Sequence, residues 1–197
     1  MEKGNPHVLT ACSTITVIRH AEKPAGGTHP TPPHGVDAAG EKHPDSLTPR
    51  GWQRAGALAV ILGTNPPAPM VRPTVLISPD YGAATLTHRT SETIRPLAEK
   101  LGVTTQHPRP TGHEHHVVKH AILPAEGHVL VCWEHHHIPD IMAELAHHLG
   151  IAELPPIART WPEADFDSVI VVTVGEPSTM VVTSQNALSG DAPVTSA

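Results

Sequence analysis

Thr14-Ile15-Thr16-Val17-Ile18-Arg19-His20 is the stretch from which the rest of the chain can be read. A run of β-branched residues favours an extended backbone, because two heavy atoms on Cβ restrict χ1 and pack well on a pleated surface. The run reads as a first strand that stops at Arg19-His20, delivering a cation and an imidazole to the strand's carboxyl end. Beyond it, from Pro24 to Asp45, Pro, Gly, His and Thr replace the apolar residues. That composition predicts a long irregular loop over 24–46, and loops of this length commonly serve as lids or binding segments.

Further along, Thr48 predicts an N-cap with Pro49 at the first helical position, and Trp52, Ala55, Leu58, Ala59 and Leu62 follow at helical spacing. Thr74 to Ser78 reads as a second strand. A helix is expected from Leu86 to Leu101, stopped by Gly102, with a short strand from Val103 to Gln106. Glu114 to Leu123 has helical periodicity. Val129-Leu130-Val131-Cys132-Trp133 is apolar on both faces, as inside a parallel sheet, and Ile138 to Leu149 forms a helix ending at Gly150. Ser168 to Val174 and Thr179 to Thr183 read as a closing hairpin, and 184–197 as a disordered tail behind a single domain spanning 1–183.

Strands alternating with helices imply an α/β sandwich with a largely parallel central sheet flanked by helices. Ligands of such sheets bind beyond the carboxyl ends of the strands. Arg19-His20, Ser78-Pro79 and Glu134-His135 each follow a predicted strand, so three polar groups distant in sequence are expected to meet at one edge.

Composition narrows the function. The chain has 197 residues, of which 39% are hydrophobic, enough for one core. With 3% aromatic residues, aliphatic side chains must fill that core. A net charge of −6 and the lack of a Lys/Arg run argue against a nucleic-acid surface. Met1 to Ser13 lacks the pattern of a secretory signal, and no apolar stretch is long enough to span a bilayer. Cys12 and Cys132 form no disulfide framework, which favours a reducing compartment. The expectation is a cytoplasmic enzyme.

Four ordered elements carry a resemblance. Arg19-His20-Ala21-Glu22-Lys23-Pro24 resembles the Arg-His-Gly/Ala signature of the histidine phosphatase (phosphoglycerate mutase-like) superfamily. Leu47-Thr48-Pro49-Arg50-Gly51-Trp52-Gln53-Arg54-Ala55 is similar to its Leu-Thr-x-x-Gly-x-x-Gln-Ala helix. Ser78-Pro79 with Arg89-Thr90-Ser91-Glu92-Thr93 is similar to its Ser-Pro and Arg-Thr-x-Glu-Thr elements. Val129 to Trp133, leading into Glu134-His135, is similar to the strand that delivers a second histidine. The resemblance covers 14–142 and implies a three-layer, phosphoglycerate mutase-like sandwich. The activity it implies is metal-independent hydrolysis of a small phosphomonoester through phosphohistidine. A phosphomutase, or a pocket that binds an anionic ligand without turnover, is the alternative.

The implied roles follow residue by residue. His20 is the nucleophile, with one ring nitrogen kept unprotonated and the other donating. Arg19 and Arg89 grip the phosphoryl oxygens with forked donors. His135 is taken as the second histidine, donating to a phosphoryl oxygen. Aligned from the strand without a gap, Glu134 takes that place instead, and His136 is a further option. Glu114, downstream of Arg89, is the candidate proton donor, with Glu22 as the alternative; as the first residue of a helix, Glu114 could equally serve the dipole. Ser78, Glu22, His135 and His136 complete the expected substrate contacts.

Histidine clusters compete with this reading. His113, His116 and His120 share one predicted helix face, and His135-His136-His137 follow a strand. Imidazoles so placed could bind zinc or copper, but His113-Glu114-His115-His116-Val117 lacks the fifth-position histidine of a zincin. No metal or cofactor is expected, and the histidines are read as solvated or pocket-lining. His29, His34 and His43 lie in the loop that would cap the pocket. The expected partners are a small phosphorylated substrate and neither nucleic acid nor membrane, with a homodimer as an option.

Overall fold

The computed structural model describes residues 12–25 and 32–191; His29 and 192–197 lie outside them. β1 (Cys12–Arg19) is the central strand of a five-stranded sheet ordered β2-β3-β1-β4-β5. Its partners are β3 (Gly127–Trp133), parallel, and β4 (Ser168–Thr173), antiparallel. β2 (Val75–Ile77) runs parallel to β3, and β5 (Thr179–Ser184) antiparallel to β4.

The sheet is therefore mixed, not largely parallel as the alternation of elements suggested. The cause lies in two connections. The turn Val174–Ser178 is too short to join anything but antiparallel neighbours. Before it, the chain climbs back along the sheet through 151–167, so that β4 enters at the edge where β1 ends. That entry matters for the site, because it brings the 162–167 segment onto Arg19.

Side chains alternate across the sheet and build a core on each face. Ile18, Leu76, Leu130, Cys132, Val169 and Val171 pack on one face with α1 (Pro49–Gly63) and α2 (Arg89–Leu101). Ile15, Val17, Ile77, Val129, Val131 and Trp133 pack on the other with α3 (Glu114–Val117) and α4 (Ile138–Leu149), behind which lies α5 (Pro156–Arg159). Three layers result, as expected.

The caps read from sequence are in place. Thr48 Oγ1 accepts from the Gly51 amide at 3.2 Å, and α4 ends at Gly150 with φ 66°. Gly51 has a second duty, since a Cβ there would lie 2.5 Å from the Glu22 carbonyl oxygen. Only glycine lets α1 approach the segment after His20 so closely.

Three boundaries differ. Leu86 lies in a 3₁₀ helix, Gly82–Thr87, and α2 starts at Arg89 with His88 as N-cap. Val103–Gln106 contributes one bridge, Gln106 to Ile77, because β2 is too short to carry a further ladder. The helix from Glu114 passes into a π-helical turn at Val118–Ile122. The tail expected from Ser184 is packed as far as Asp191, because the buried Arg54 side chain demands acceptors from it. Among the described residues, no helix is long and apolar enough to cross a membrane.

Candidate active site

His20 lies immediately past β1 and is fully buried. Its Nδ1–H donates to the Ala21 carbonyl at 2.7 Å, which fixes the tautomer and leaves Nε2 with a free lone pair. Burial outweighs the attraction of Glu134 and pushes the His20 pKa down, so the ring is neutral. The Ala21 amide in turn donates to Thr93 Oγ1 of α2 at 2.8 Å, so the strand end is held from the helix layer.

Arg19 is 1% exposed and is gripped from one side. Its Nη1 donates to the carbonyls of Pro162 and Asp165 at 3.1 and 3.2 Å and makes a shorter bond to that of Glu163. The guanidinium lies over the Phe166 ring at 3.9 Å, a favourable face for a cation. Burial lowers its pKa to about 10, which leaves it charged at neutral pH. Its Nε and Nη2 have no hydrogen-bond partner among the described residues.

That observation extends across the site. Among the described residues, seven buried side-chain nitrogens lack a partner, and five belong to Arg19, His20, Arg89 and His135. Buried donors and acceptors are ordinarily satisfied, so a cluster of orphans marks a place built for a group the chain does not itself supply. Arg89, at the start of α2, touches the end of the irregular loop through Asp45 at 3.5 Å and leaves its Nε free.

The turn after β3 places two residues against His20, not one. Glu134 Oε2 is 3.3 Å from His20 Nε2, and the His135 ring centroid is 6.1 Å from that of His20. Glu134 Oε1 accepts from the Tyr81 hydroxyl at 3.3 Å and lies 3.5 Å from His88 Nε2. Burial opposes ionisation of Glu134, but the Arg89 charge favours it, and the carboxyl stays well below the usual range. Burial and the Glu134 charge push the Tyr81 phenol up, so it remains a donor. His135 donates from Nε2 to Glu163 at 3.2 Å, and burial with the Arg19 charge lowers its pKa to about 4. His136 lies tilted against His135 at 3.8 Å between centroids but is mostly exposed.

Other expected site residues are engaged elsewhere. Glu22 takes bonds from Arg54 at 2.8 to 3.2 Å and from Arg50 at 3.2 Å. It is drawn off the pocket because Arg54, 2% exposed, needs anionic partners in the interior. Glu114 accepts from the Gly112 amide and from Trp133 Nε1, both at 3.0 Å, with His137 at 3.5 Å. A buried indole N–H requires an acceptor, and Glu114 supplies it. Ser78 bonds Ser91 and His107 at 3.1 and 3.0 Å, tying β2 to α2.

Sequence reasoning set Glu134 aside in favour of its neighbour and passed over Tyr81, His88, Glu163 and Phe166. The gapless alignment from β3 was the one signal that pointed to Glu134. Of the loop histidines, His43 Nδ1 meets Ser46 Oγ at 3.2 Å. The His116 and His120 rings lie tilted to one another at 4.5 Å between centroids. Among the described residues, ligand atoms close enough to share an ion occur in four groups. Two of them, His20–Glu134–His135 and His135–His136–Glu163, lie in this pocket. Glu114–His137–Asp140 adjoins it, and His115–Glu144–His148 lies on α3 and α4.

No family model matches the chain, and no curated protein does. Among solved structures, the chain is similar to the "putative phosphohistidine phosphatase SixA" of Agrobacterium tumefaciens, at 16% identity and TM-score 0.49, over 86% of this chain and 95% of that one. The protein of the same description from Nakamurella multipartita gives 19% identity and TM-score 0.48, over 92% and 96%. A mycobacterial glucosyl-3-phosphoglycerate phosphatase gives 15% identity and TM-score 0.45, over 89% and 99%.

Proposed function

We propose that this protein is a phosphomonoester hydrolase of the histidine phosphatase type, acting on a small phosphorylated molecule through phosphohistidine at His20. One observation carries the reading. A buried, neutral imidazole with its proton committed to the Ala21 carbonyl sits among the unpartnered nitrogens of Arg19, Arg89 and His135.

The chemistry follows from those atoms. Nε2 of His20 attacks phosphorus as the bond to the leaving oxygen breaks, giving an N–P bond and an alcohol. Arg19 Nε and Nη2 and Arg89 Nε offer donors to the equatorial oxygens, where charge concentrates in the transition state. Water then attacks phosphorus, the N–P bond breaks, inorganic phosphate leaves and the imidazole is restored.

The leaving oxygen needs a proton, and the residue that touches His20 is Glu134. Its carboxylate is ionised in the free site. A phosphoryl dianion arriving beside it raises its proton affinity, as like charges sharing a site do. Glu134 would take up a proton with the substrate, give it to the leaving oxygen and then accept one from the attacking water. Neither Glu114 nor Glu22 is free for this task.

Two measurements test the proposal. Rapid quench with a labelled phosphomonoester should trap acid-labile phosphate that maps to His20, and His20→Ala should abolish both label and turnover. Undiminished turnover in His20→Ala overturns the reading. Glu134→Gln should slow alkyl phosphates by about 100- to 1,000-fold and p-nitrophenyl phosphate by less than about tenfold, because only the poor leaving group needs the acid. Equal loss on both substrates removes Glu134 from the acid role and leaves that of His20 standing.

A further inference from the structure

His115, Glu144 and His148 form a cluster that the proposed hydrolysis does not use. Glu144 and His148 stand at i and i+4 on α4 and so share a face. His115 reaches them from α3. Its Nδ1 lies 2.8 Å from Glu144 Oε2, and His148 Nε2 lies 3.8 Å from the same oxygen. All three ligand atoms fall within 4.8 Å of one another.

The hydrogen bond between His115 and Glu144 accounts for one arm of the cluster and leaves His148 unexplained. The His148 Nε2 is buried with no hydrogen-bond partner among the described residues. That nitrogen nevertheless faces a carboxylate oxygen, 3.8 Å away. A proton on Nε2 would be expected to close the 3.8 Å gap to Glu144 into a hydrogen bond, whereas a lone pair there faces the oxygen's own lone pairs. A cation between the two resolves the repulsion.

We propose that His115 Nδ1, Glu144 Oε2 and His148 Nε2 bind a divalent cation of the zinc class, with water completing the shell. Two imidazoles and a carboxylate are nitrogen and oxygen donors that zinc accepts at about 2.0–2.2 Å, which sets tetrahedral donors roughly 3.3 Å apart. The 2.8 Å His115–Glu144 separation would widen and the 3.8 Å His148–Glu144 one narrow, and His115, 65% exposed, can adjust by rotation. Magnesium and calcium, which want oxygen alone, are excluded by the donor set. Lys119 is the charged neighbour that opposes the ion, and His147, whose ring centroid is 5.3 Å from that of His148, is the nearest spare imidazole. The bound ion would join α3 to α4 and brace the layer behind Trp133.

Zinc titration of metal-stripped, tag-free full-length protein tests this, using His20→Ala/His135→Ala protein to silence the pocket histidines. One zinc per chain should bind and raise Tm by about 5–10 °C at a hundredfold excess over Kd. His115→Ala and His148→Ala should each weaken binding at least tenfold and remove the shift, and cobalt bound at the site should show a visible spectrum that both variants lose. His115 is exposed, so its variant folds and separates lost ligation from lost structure. Zinc binding that survives both substitutions, or the lack of one-to-one binding, overturns the proposal.

Discussion

Arg54→Met tests the interior ion network most sharply. Arg54 is 2% exposed and uses every face of its guanidinium: Nε and Nη2 to Glu22, Nη1 to Gln185, and Nη1 and Nη2 to Asp191, with Asp167 at 3.5 Å. Methionine matches much of its volume and supplies no charge. The cost is then the stranding of three carboxylates whose side chains are 13%, 10% and 5% exposed. Removing one partner of a buried pair costs about 3–5 kcal/mol. Protonation of Asp167 relieves part of it, which places the expectation toward the lower figure. For a chain of this size that is a fall in Tm of roughly 6–20 °C. Urea unfolding and thermal melts at pH 7 read it directly. Adding Asp191→Asn to the variant should recover part of the loss, since the stranded charge is then gone. A loss under about 1 kcal/mol, with no recovery in the double variant, would refute the claim that these charges depend on Arg54.

Two further outcomes follow from the same geometry. Glu114→Gln keeps a carbonyl acceptor for Trp133 Nε1 and the Gly112 amide, so turnover should stay within about threefold of the parent; a collapse would return Glu114 to the acid role. Asp167 is raised to about 6 by burial and by Asp191, while the unfolded carboxyl titrates near 3.8. A folded pKa above the unfolded one gives stability that is full below the unfolded value and lost as pH rises through about 6. The parent should therefore lose stability from pH 4 to 7 relative to Asp167→Asn, and identical urea midpoints for the two proteins across that window would contradict it.

Much of the site was legible because a strand has a definite end. The β-branched run from Thr14 placed Arg19-His20 at the sheet's carboxyl edge, and the apolar run from Val129 placed Glu134-His135 beside it. What periodicity could not settle was which residue of Glu134 to His137 turns inward. The turn that closes there, with the His137 and Ile138 amides on the Glu134 carbonyl, turns both Glu134 and His135 toward His20. Glu22 and Glu114 were misplaced for another reason. Their partners, Arg54 with Asp191 and the Trp133 indole, are fixed by the packing of distant segments, which spacing along the chain does not encode. The mixed sheet escaped notice similarly, since the climb through 151–167 carries no helical or strand period to announce a reversal.

Arg54 also sets an order of events. The segment that carries His20 and Glu22 is synthesised well before one of its anchors, since Asp191 lies 137 positions after Arg54. A nascent chain can form the helix that carries Arg54, but its guanidinium must wait, partly neutralised, until Asp191 has emerged. Contacts of such sequence separation form late and slowly. Competence for chemistry should thus await Asp191, and a chain that stops before it would have its nucleophile but lack that anchor for the segment behind it.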